Sequence, residues 1–254
     1  MTQIIKTVAE FLIIRESENY ENDSVGFVPT MGALHKGHLS LINKSKDEND
    51  ITVVSIFVNP TQFNDKSDFE NYPNTLENDL QKLNEAEVDF LFLPNYAELY
   101  SDNYKYNVTE NELSKKLCGA YRPGHFDGVL TVVMKLLNIV RADCAYFGEK
   151  DYQQFLLIKG MTEALFIDTE IISVPTIRDE DGLALSSRNV RLSKEDREKA
   201  TLFPQLLKYD TDSEKIKAML EEDGFKVDYI ETIGGRRFGA VHLGGVRLID
   251  NVKI

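Results

Sequence analysis

The chain has 254 residues, 42% apolar and 28% charged, enough to bury a sizeable core in one large domain or two smaller ones. Lys and Arg number 29 against 42 Asp and Glu; the formal net charge of −13 repels polyanions and excludes the broad basic face that nucleic-acid binding uses. Two cysteines without a CxxC pairing exclude a disulfide framework and fit a reducing, cytoplasmic setting, and no apolar run approaches the roughly 18 residues that cross a bilayer.

The N-terminal stretch is interrupted by Lys6, Glu10 and Arg15 and does not read as a signal peptide. Val25–Val28 and Ile51–Val58 are short, β-branched and almost continuously apolar, the pattern of strands covered on both faces. Between them, Leu39, Ile42 and Lys46 share one side of a helix opening at Gly37. Leu76, Leu80 and Leu83 predict a further helix, and Val88–Leu93 a third buried strand. Val129, Val132, Val133, Leu136, Leu137 and Val140 repeat at three-and-four spacing, which predicts a helix over 129–140 with one buried face. A strand at Cys144–Phe147, a helix carrying Phe155, Ile158 and Leu165, and a strand at Glu170–Val174 follow.

Strands alternating with helices imply right-handed βαβ units and an α/β fold with a doubly wound, Rossmann-like parallel sheet. Ligands of such sheets sit beyond the carboxyl ends of the strands, so the loops after Val28, Val58 and Phe147 should converge. After Pro175 the pattern changes. Ser193 and Asp196 mark a helix start, another helix ends before Gly224, and short strands are expected at 225–230, 239–243 and 246–249. The expected organisation is a ligand-binding domain over 1–175 and a small, shortened α+β domain over 176–254 closing over the site.

Five loops carry chemistry. In VPTMGALHKGH (28–38), glycines permit close backbone approach and a tight helix start, whose free amides and dipole favour phosphate. His35 and His38, three apart, suit one anion; a surface loop or a metal pair are the competing readings, the latter weak without a third ligand. SIFVNPTQF offers Asn59 and Gln62 as neutral donors, or simply a turn. FGEKDYQQF places Lys150 and Asp151 at a helix start with Gln154 one turn in; LSSRN sets two hydroxyls beside Arg188; RPGHF brings Arg122 to the start of the long helix. A capped helix, a polar turn and a solvated loop are the respective alternatives.

Together, VPTMGALHKGH, SIFVNPTQF, YPNT, RPGHF, FGEKDYQQ, DGLALSSRN and the terminal RLIDN resemble, in order and spacing, the pantothenate synthetase (pantoate–β-alanine ligase) family. The resemblance runs from about residue 25 to 192 and resumes near the C-terminus. The HxGH element names only a wider nucleotidylyltransferase superfamily; Gln62, Gln154, GEKD and SSRN narrow it. The resemblance implies an AMP-forming acid–amino-acid ligase of pantothenate biosynthesis: pantoate and ATP give a pantoyl adenylate and pyrophosphate, and β-alanine then displaces AMP.

It also implies roles. Met31, Gly32, Ala33, Leu34, His35, Lys36, Gly37 and His38 would bind ATP, with Gly148, Glu149, Lys150, Asp151, Ile177, Leu185, Ser186, Ser187 and Arg188. His38 is the family's proton donor; His35, Lys150, Ser186, Ser187 and Arg188 would assist catalysis. Gln62 and Gln154 would hold pantoate or β-alanine, helped by Asn59 and Arg122. Mg²⁺ would accompany ATP on its phosphates, and the family state is a homodimer through the N-terminal domain. Two departures stand out: Asn74 where the family commonly has Arg, and a C-terminal region that reads as short of some sheet. The rivals are another nucleotidylyltransferase of this fold with a different acceptor, and a catalytically silent nucleotide-binding module.

Overall fold

The computed structural model describes residues 1–17, 20 and 22–254. Six strands form one parallel sheet: β1 (Gln3–Ile5), β2 (Val25–Thr30), β3 (Ile51–Ile56), β4 (Phe90–Phe92), β5 (Cys144–Gly148) and β6 (Glu170–Val174), in the order β1-β4-β3-β2-β5-β6. From β2 the chain proceeds to β3 and β4 on one side, then returns to lay β5 and β6 on the other. The order therefore reverses between β2 and β5, which opens a crevice at their carboxyl ends. Every residue of β3 is buried, as its uninterrupted apolar run requires of a strand covered on both faces.

Two differences from the sequence pattern have local causes. β2 continues past Val28 through Pro29 to Thr30, although Pro lacks a ladder N–H. Thr30 itself is tied to β3: its carbonyl accepts from the Phe57 amide at 3.1 Å and its hydroxyl donates to the Ser55 carbonyl at 2.8 Å. The edge strand β1 escapes notice because three residues carry no measurable period.

The long helix runs His125–Val140, one turn longer at its start than its apolar stripe. Its Val129, Val133, Leu136, Leu137 and Val140 are buried in the main core, each contributing on the order of 1.5–3 kcal/mol by leaving water. Helices Lys36–Glu48, Leu76–Glu85 and Tyr152–Ala164 complete the α/β layers. Among the described residues, no helix is long and apolar enough to cross a membrane.

Beyond β6, helices Lys194–Lys199, Leu202–Leu207 and Ser213–Glu222 pack on an antiparallel meander of β7 (Lys226–Ile233), β8 (Arg236–Leu243) and β9 (Val246–Lys253) around a core of their own. Ser193 caps the first of these helices through the Asp196 amide at 3.0 Å. The strands are longer than expected, eight residues each, and join through Gly234–Gly235 and Gly244–Gly245, all at positive φ. Two-residue hairpin turns demand that geometry, and the paired glycines are its sequence signal.

Candidate active site

The loop leaving β2 is tied down from beneath. Asp79, buried on the Leu76–Glu85 helix, accepts from the Ala33 amide at 2.8 Å, the Leu34 amide at 2.7 Å and the Thr75 hydroxyl at 3.2 Å. Lys82, one turn further along, donates to the Leu34 carbonyl. The loop thus delivers His35 to the N-cap of the Lys36–Glu48 helix.

The two histidines are then fixed by their own backbone. His35 Nδ1 accepts from the Gly37 amide at 3.1 Å, and His38 Nδ1 accepts from the His35 amide at 3.3 Å; the ring centroids stand 4.1 Å apart. A neutral imidazole accepting at Nδ1 carries its proton on Nε2, so both rings offer Nε2–H donors. Burial, then Lys150 and Lys82, lowers the pKa of His35 to about 4. Burial, then His35 itself and the same lysines, lowers that of His38 to about 3. At neutral pH the pair therefore donates hydrogen bonds without carrying charge.

Around this pair lies a cleft of about 1260 Å³ at the β2–β5 crevice. Met31, His35, Gly37 and His38 line it from the β2 loop, Gln62 from the loop after β3, and Gly148, Lys150, Asp151 and Gln154 from the segment after β5. Ile177 and Leu185, Ser186, Ser187 and Arg188 close the other side. Tyr72 joins the lining from the loop that follows Gln62.

The remaining expected residues stand behind or outside this surface. Gly32 and Leu34 are buried beneath it, Ala33 accepts from the Ser187 hydroxyl at 3.1 Å, and Lys36 is exposed. Glu149 accepts from Arg236 at 3.2 Å. Asn59 is buried and engaged at both ends: its Nδ2 donates to Gln62 Oε1 at 3.1 Å and the Gly128 carbonyl at 3.1 Å, and its Oδ1 accepts from the Thr61 and Tyr100 hydroxyls at 3.0 Å each. Arg122 donates to the Gln62 carbonyl at 3.2 Å and meets His125 Nε2 at 2.9 Å. His125 Nδ1 meets that same carbonyl at 2.8 Å, which makes it the donor there and leaves Nε2 to accept from Arg122.

Gln62 is thus surrounded by positioning groups. Gly128 belongs among them: a Cβ there would lie 2.5 Å from the Thr61 carbonyl oxygen and 2.8 Å from the Gln62 amide, so the absence of a side chain lets the loop pack directly on the helix. Lys150 stands 3.6 Å from Asp151, and the backbone of this turn is held by the C-terminal sheet: Asn251 Nδ2 donates to the Glu149 and Lys150 carbonyls at 2.8 and 3.0 Å. Arg188 stacks over Tyr72 at 5.4 Å and pairs with Asp68 at 2.8 Å, a carboxylate shared with Arg191 at 2.6 Å. Those two arginines hold the Asp68 carboxyl below its usual range against the opposing effect of burial. Asp68, Tyr72, Gly128 and Asn251 join the site through contacts distant in the chain; YPNT, which opens at Tyr72, and RLIDN, which ends at Asn251, are the local signals for two of them. Asn74 is exposed and outside the lining.

The sequence model of the family described as pantoate-beta-alanine ligase matches residues 3–253. A pantothenate synthetase of Bdellovibrio bacteriovorus is 54% identical over 254 residues, covering 100% of both chains. One from Coxiella burnetii is 51% identical over 252 residues, covering 99% of this chain and 97% of its own. Among solved structures, the pantoate-beta-alanine ligase of Francisella tularensis, complexed with beta-gamma ATP and beta-alanine, superposes with a TM-score of 0.95 at 45% identity, covering 100% of this chain and 98% of its own. The pantothenate synthetase of Thermus thermophilus gives a TM-score of 0.89 at 40% identity, covering 99% of each chain. The chain belongs to the pantoate–β-alanine ligase family.

Proposed function

We propose that this member of the family makes pantothenate through a pantoyl adenylate formed in the cleft between the histidine pair and the two glutamines. The chain is a ligase that joins pantoate to β-alanine with ATP. The observation that carries the adenylate route is the pairing of an uncharged donor wall with an uncharged acid wall. His35 and His38 offer Nε2–H groups beside the helix start, where phosphate oxygens gain hydrogen bonds and the helix dipole. Gln62 and Gln154 face them and bind a carboxylic acid without locking its oxygen into an ion pair.

A pantoate carboxylate oxygen then attacks the α-phosphorus, the bond to the β-phosphate oxygen breaks, and pyrophosphate leaves. The neutral amine of β-alanine attacks the acyl carbon, the acyl C–O bond breaks, AMP departs with that oxygen, and the nitrogen sheds a proton. The first step is governed by positioning and charge stabilisation, which His38 supplies with Lys150 and the Ser186–Arg188 turn. Gly148, Asp151, Ile177 and Leu185 hold the rest of the nucleotide, with Met31. Gly32, Ala33 and Leu34 shape the loop from behind, while Lys36 and Glu149 flank the site. Asn59 and Arg122 assist pantoate binding by holding Gln62.

Mg²⁺ fits this site as a companion of the triphosphate. Among the described residues, Asp151 is the one carboxylate lining the cleft, and no three His, Cys, Asp or Glu cluster as a metal cage. Phosphate oxygens would supply most ligands, and the ion would neutralise charge developing on pyrophosphate. Division near residue 175, with the C-terminal unit closing over the cleft through Asn251, extends the same reading. So do a cytoplasmic location, which the sparse, unpaired cysteines suit, and a homodimer through the N-terminal unit, which rests on family resemblance.

Pantoate labelled with ¹⁸O in its carboxylate tests the route. One labelled oxygen should appear in AMP after turnover; unlabelled AMP, or ADP as product, would contradict an acyl adenylate.

A further inference from the structure

We infer that Asn251 is a positioning residue for Lys150: from the last strand of the C-terminal sheet it sets where that cation meets the triphosphate. The inference rests on the ligase reading above, in which Lys150 stabilises charge as pyrophosphate leaves. The Lys150 turn does little to hold itself. Glu149–Asp151 forms one short helical turn after β5, and among the described residues neither Gly148 before it nor Asp151, at the N-cap of the Tyr152–Ala164 helix, provides a side-chain cap. The Lys150 ammonium stands 3.6 Å from its neighbour Asp151, beyond hydrogen-bond reach. Support comes instead from β9. Asn251, 4% exposed, directs both hydrogens of its Nδ2 at consecutive carbonyls of the turn, Glu149 at 2.8 Å and Lys150 at 3.0 Å.

The orientation of that amide is itself fixed. Its Oδ1 accepts from Nη1 of Arg236 on β8, a buried guanidinium whose Nη2 donates to the Glu149 carboxylate at 3.2 Å. The same guanidinium lies over the Tyr152 ring, 3.7 Å from its centre, where the next helix begins. With the oxygen turned to a guanidinium, the NH₂ end must face the turn. Arg236 therefore holds Asn251 in the one orientation in which it can hold the turn.

Alternation along β9 supplies a second tie. Leu248 and Val252 enter the C-terminal core, whereas Ile249 packs on the main core, so Asp250 and Asn251 leave the strand on opposite faces. Asp250, also buried, receives Arg178 as a fork at 2.6 and 2.8 Å and accepts from the Asn251 backbone amide at 2.7 Å. Arg178 belongs to a hairpin, bridged to Ala184, whose Ile177 and Leu185 line the cleft and whose end carries Ser186–Arg188. The turns that bear Lys150 and Arg188 are thus both referred to adjacent residues of one strand. Misplacing a reacting group by about 1 Å can cost on the order of 10²-fold in rate, so this tie bears on the chemical step itself. The C-terminal sheet does more than cover the cleft; through Asn251 it sets the charge that receives pyrophosphate.

The test uses the full-length enzyme and Asn251→Asp, which matches Asn in size and keeps an acceptor for Arg236 but turns an oxygen towards the two carbonyls. In pantoate-dependent exchange of pyrophosphate into ATP, kcat should fall roughly 10²-fold while the KM values for ATP and pantoate stay within about threefold, because the turn remains but no longer holds Lys150 where charge develops. Lys150→Met alone should lower the same kcat by roughly 10²–10³-fold, and adding Asn251→Asp to it should cost at most about twofold more. Asn251→Ser, which keeps one donor, should recover part of the loss. An unchanged kcat would overturn the inference. So would an undiminished effect of Asn251→Asp in the Lys150→Met background, since the residue would then act through some other group. An ATP KM that rises while kcat holds would also overturn it, by marking a general loosening of the cleft. If Asn251→Asp fails to fold, Asn251→Ala, which introduces no charge, carries the same expectation; failure of both to fold would make the residue purely structural and end the inference. Absence of exchange in the unaltered enzyme would instead defeat the ligase reading itself.

Discussion

The two walls of the cleft are built in opposite ways. On the nucleotide side, the groups that orient His35 and His38 lie within three residues of them: the Gly37 and His35 amides. On the acid side, Gln62 is oriented by Arg122, His125 and, through Asn59, by Tyr100 and Gly128, all at least 38 residues from it in sequence. The first wall needs little beyond a helix start in the right place. The second exists only once the long His125–Val140 helix has docked, so substrate choice depends on tertiary packing more than the phosphate grip does.

That contrast predicts different damage from different substitutions. The largest effect should follow His38→Ala, which removes one preorganised donor and should slow adenylate formation by roughly 10²–10³-fold with pantoate binding preserved. Equal losses in pantoate affinity, by titration calorimetry, would break the separation of the walls. Asp79, with Lys82 and Ser187, ties the nucleotide wall to distant parts of the chain. Asp79→Ala orphans two buried amides, so thermal or urea unfolding should register a loss of about 2–4 kcal/mol, with the KM for ATP rising as the loop loosens.

Gly128→Ala probes the other wall. Its Cβ must displace the Thr61–Gln62 backbone, an overpacking cost of about 1–3 kcal/mol, so the pantoate KM should rise while the ATP KM holds. A matching rise in both constants would mean that the walls move as one. The smallest effect is pH-dependent. His125 is buried, and burial followed by Arg122 lowers its pKa to about 3, against about 6.5 in an unfolded chain. The fold therefore binds fewer protons than the unfolded chain below pH 6.5, and stability falls as pH drops through that value towards 3. Between pH 7 and 5, His125 should account for about 1–2 kcal/mol of the decline. A His125→Gln variant with an undiminished slope over that range would show that other groups carry it.

The sequence made the sheet readable where burial left an unbroken apolar run, as in β3 and β5, and where helices kept a stripe. It hid β1, too short to show a period, and the continuation of β2 through Pro29, a residue that reads as a strand end. The histidine pair was legible because its geometry is local. Asn59 and Arg122 read as substrate-site residues, and the folded chain adds what the sequence does not show, that both hold Gln62. Asp79 and Gly128 owe their roles to neighbours far along the chain, and nothing in their immediate sequence states those roles; for Asn251 the RLIDN run marks the residue but not the Glu149 and Lys150 carbonyls it holds. The Gly-Gly turns of the C-terminal meander are the opposite case, a clear local signal for strands longer than their apolar core.

The most direct test is exchange of labelled pyrophosphate into ATP with pantoate present and β-alanine absent. Exchange that appears only when pantoate is added is the predicted result, since the adenylate must form reversibly before the amine arrives. Exchange without pantoate, or none until β-alanine is supplied, would contradict an adenylate made between the histidine and glutamine walls.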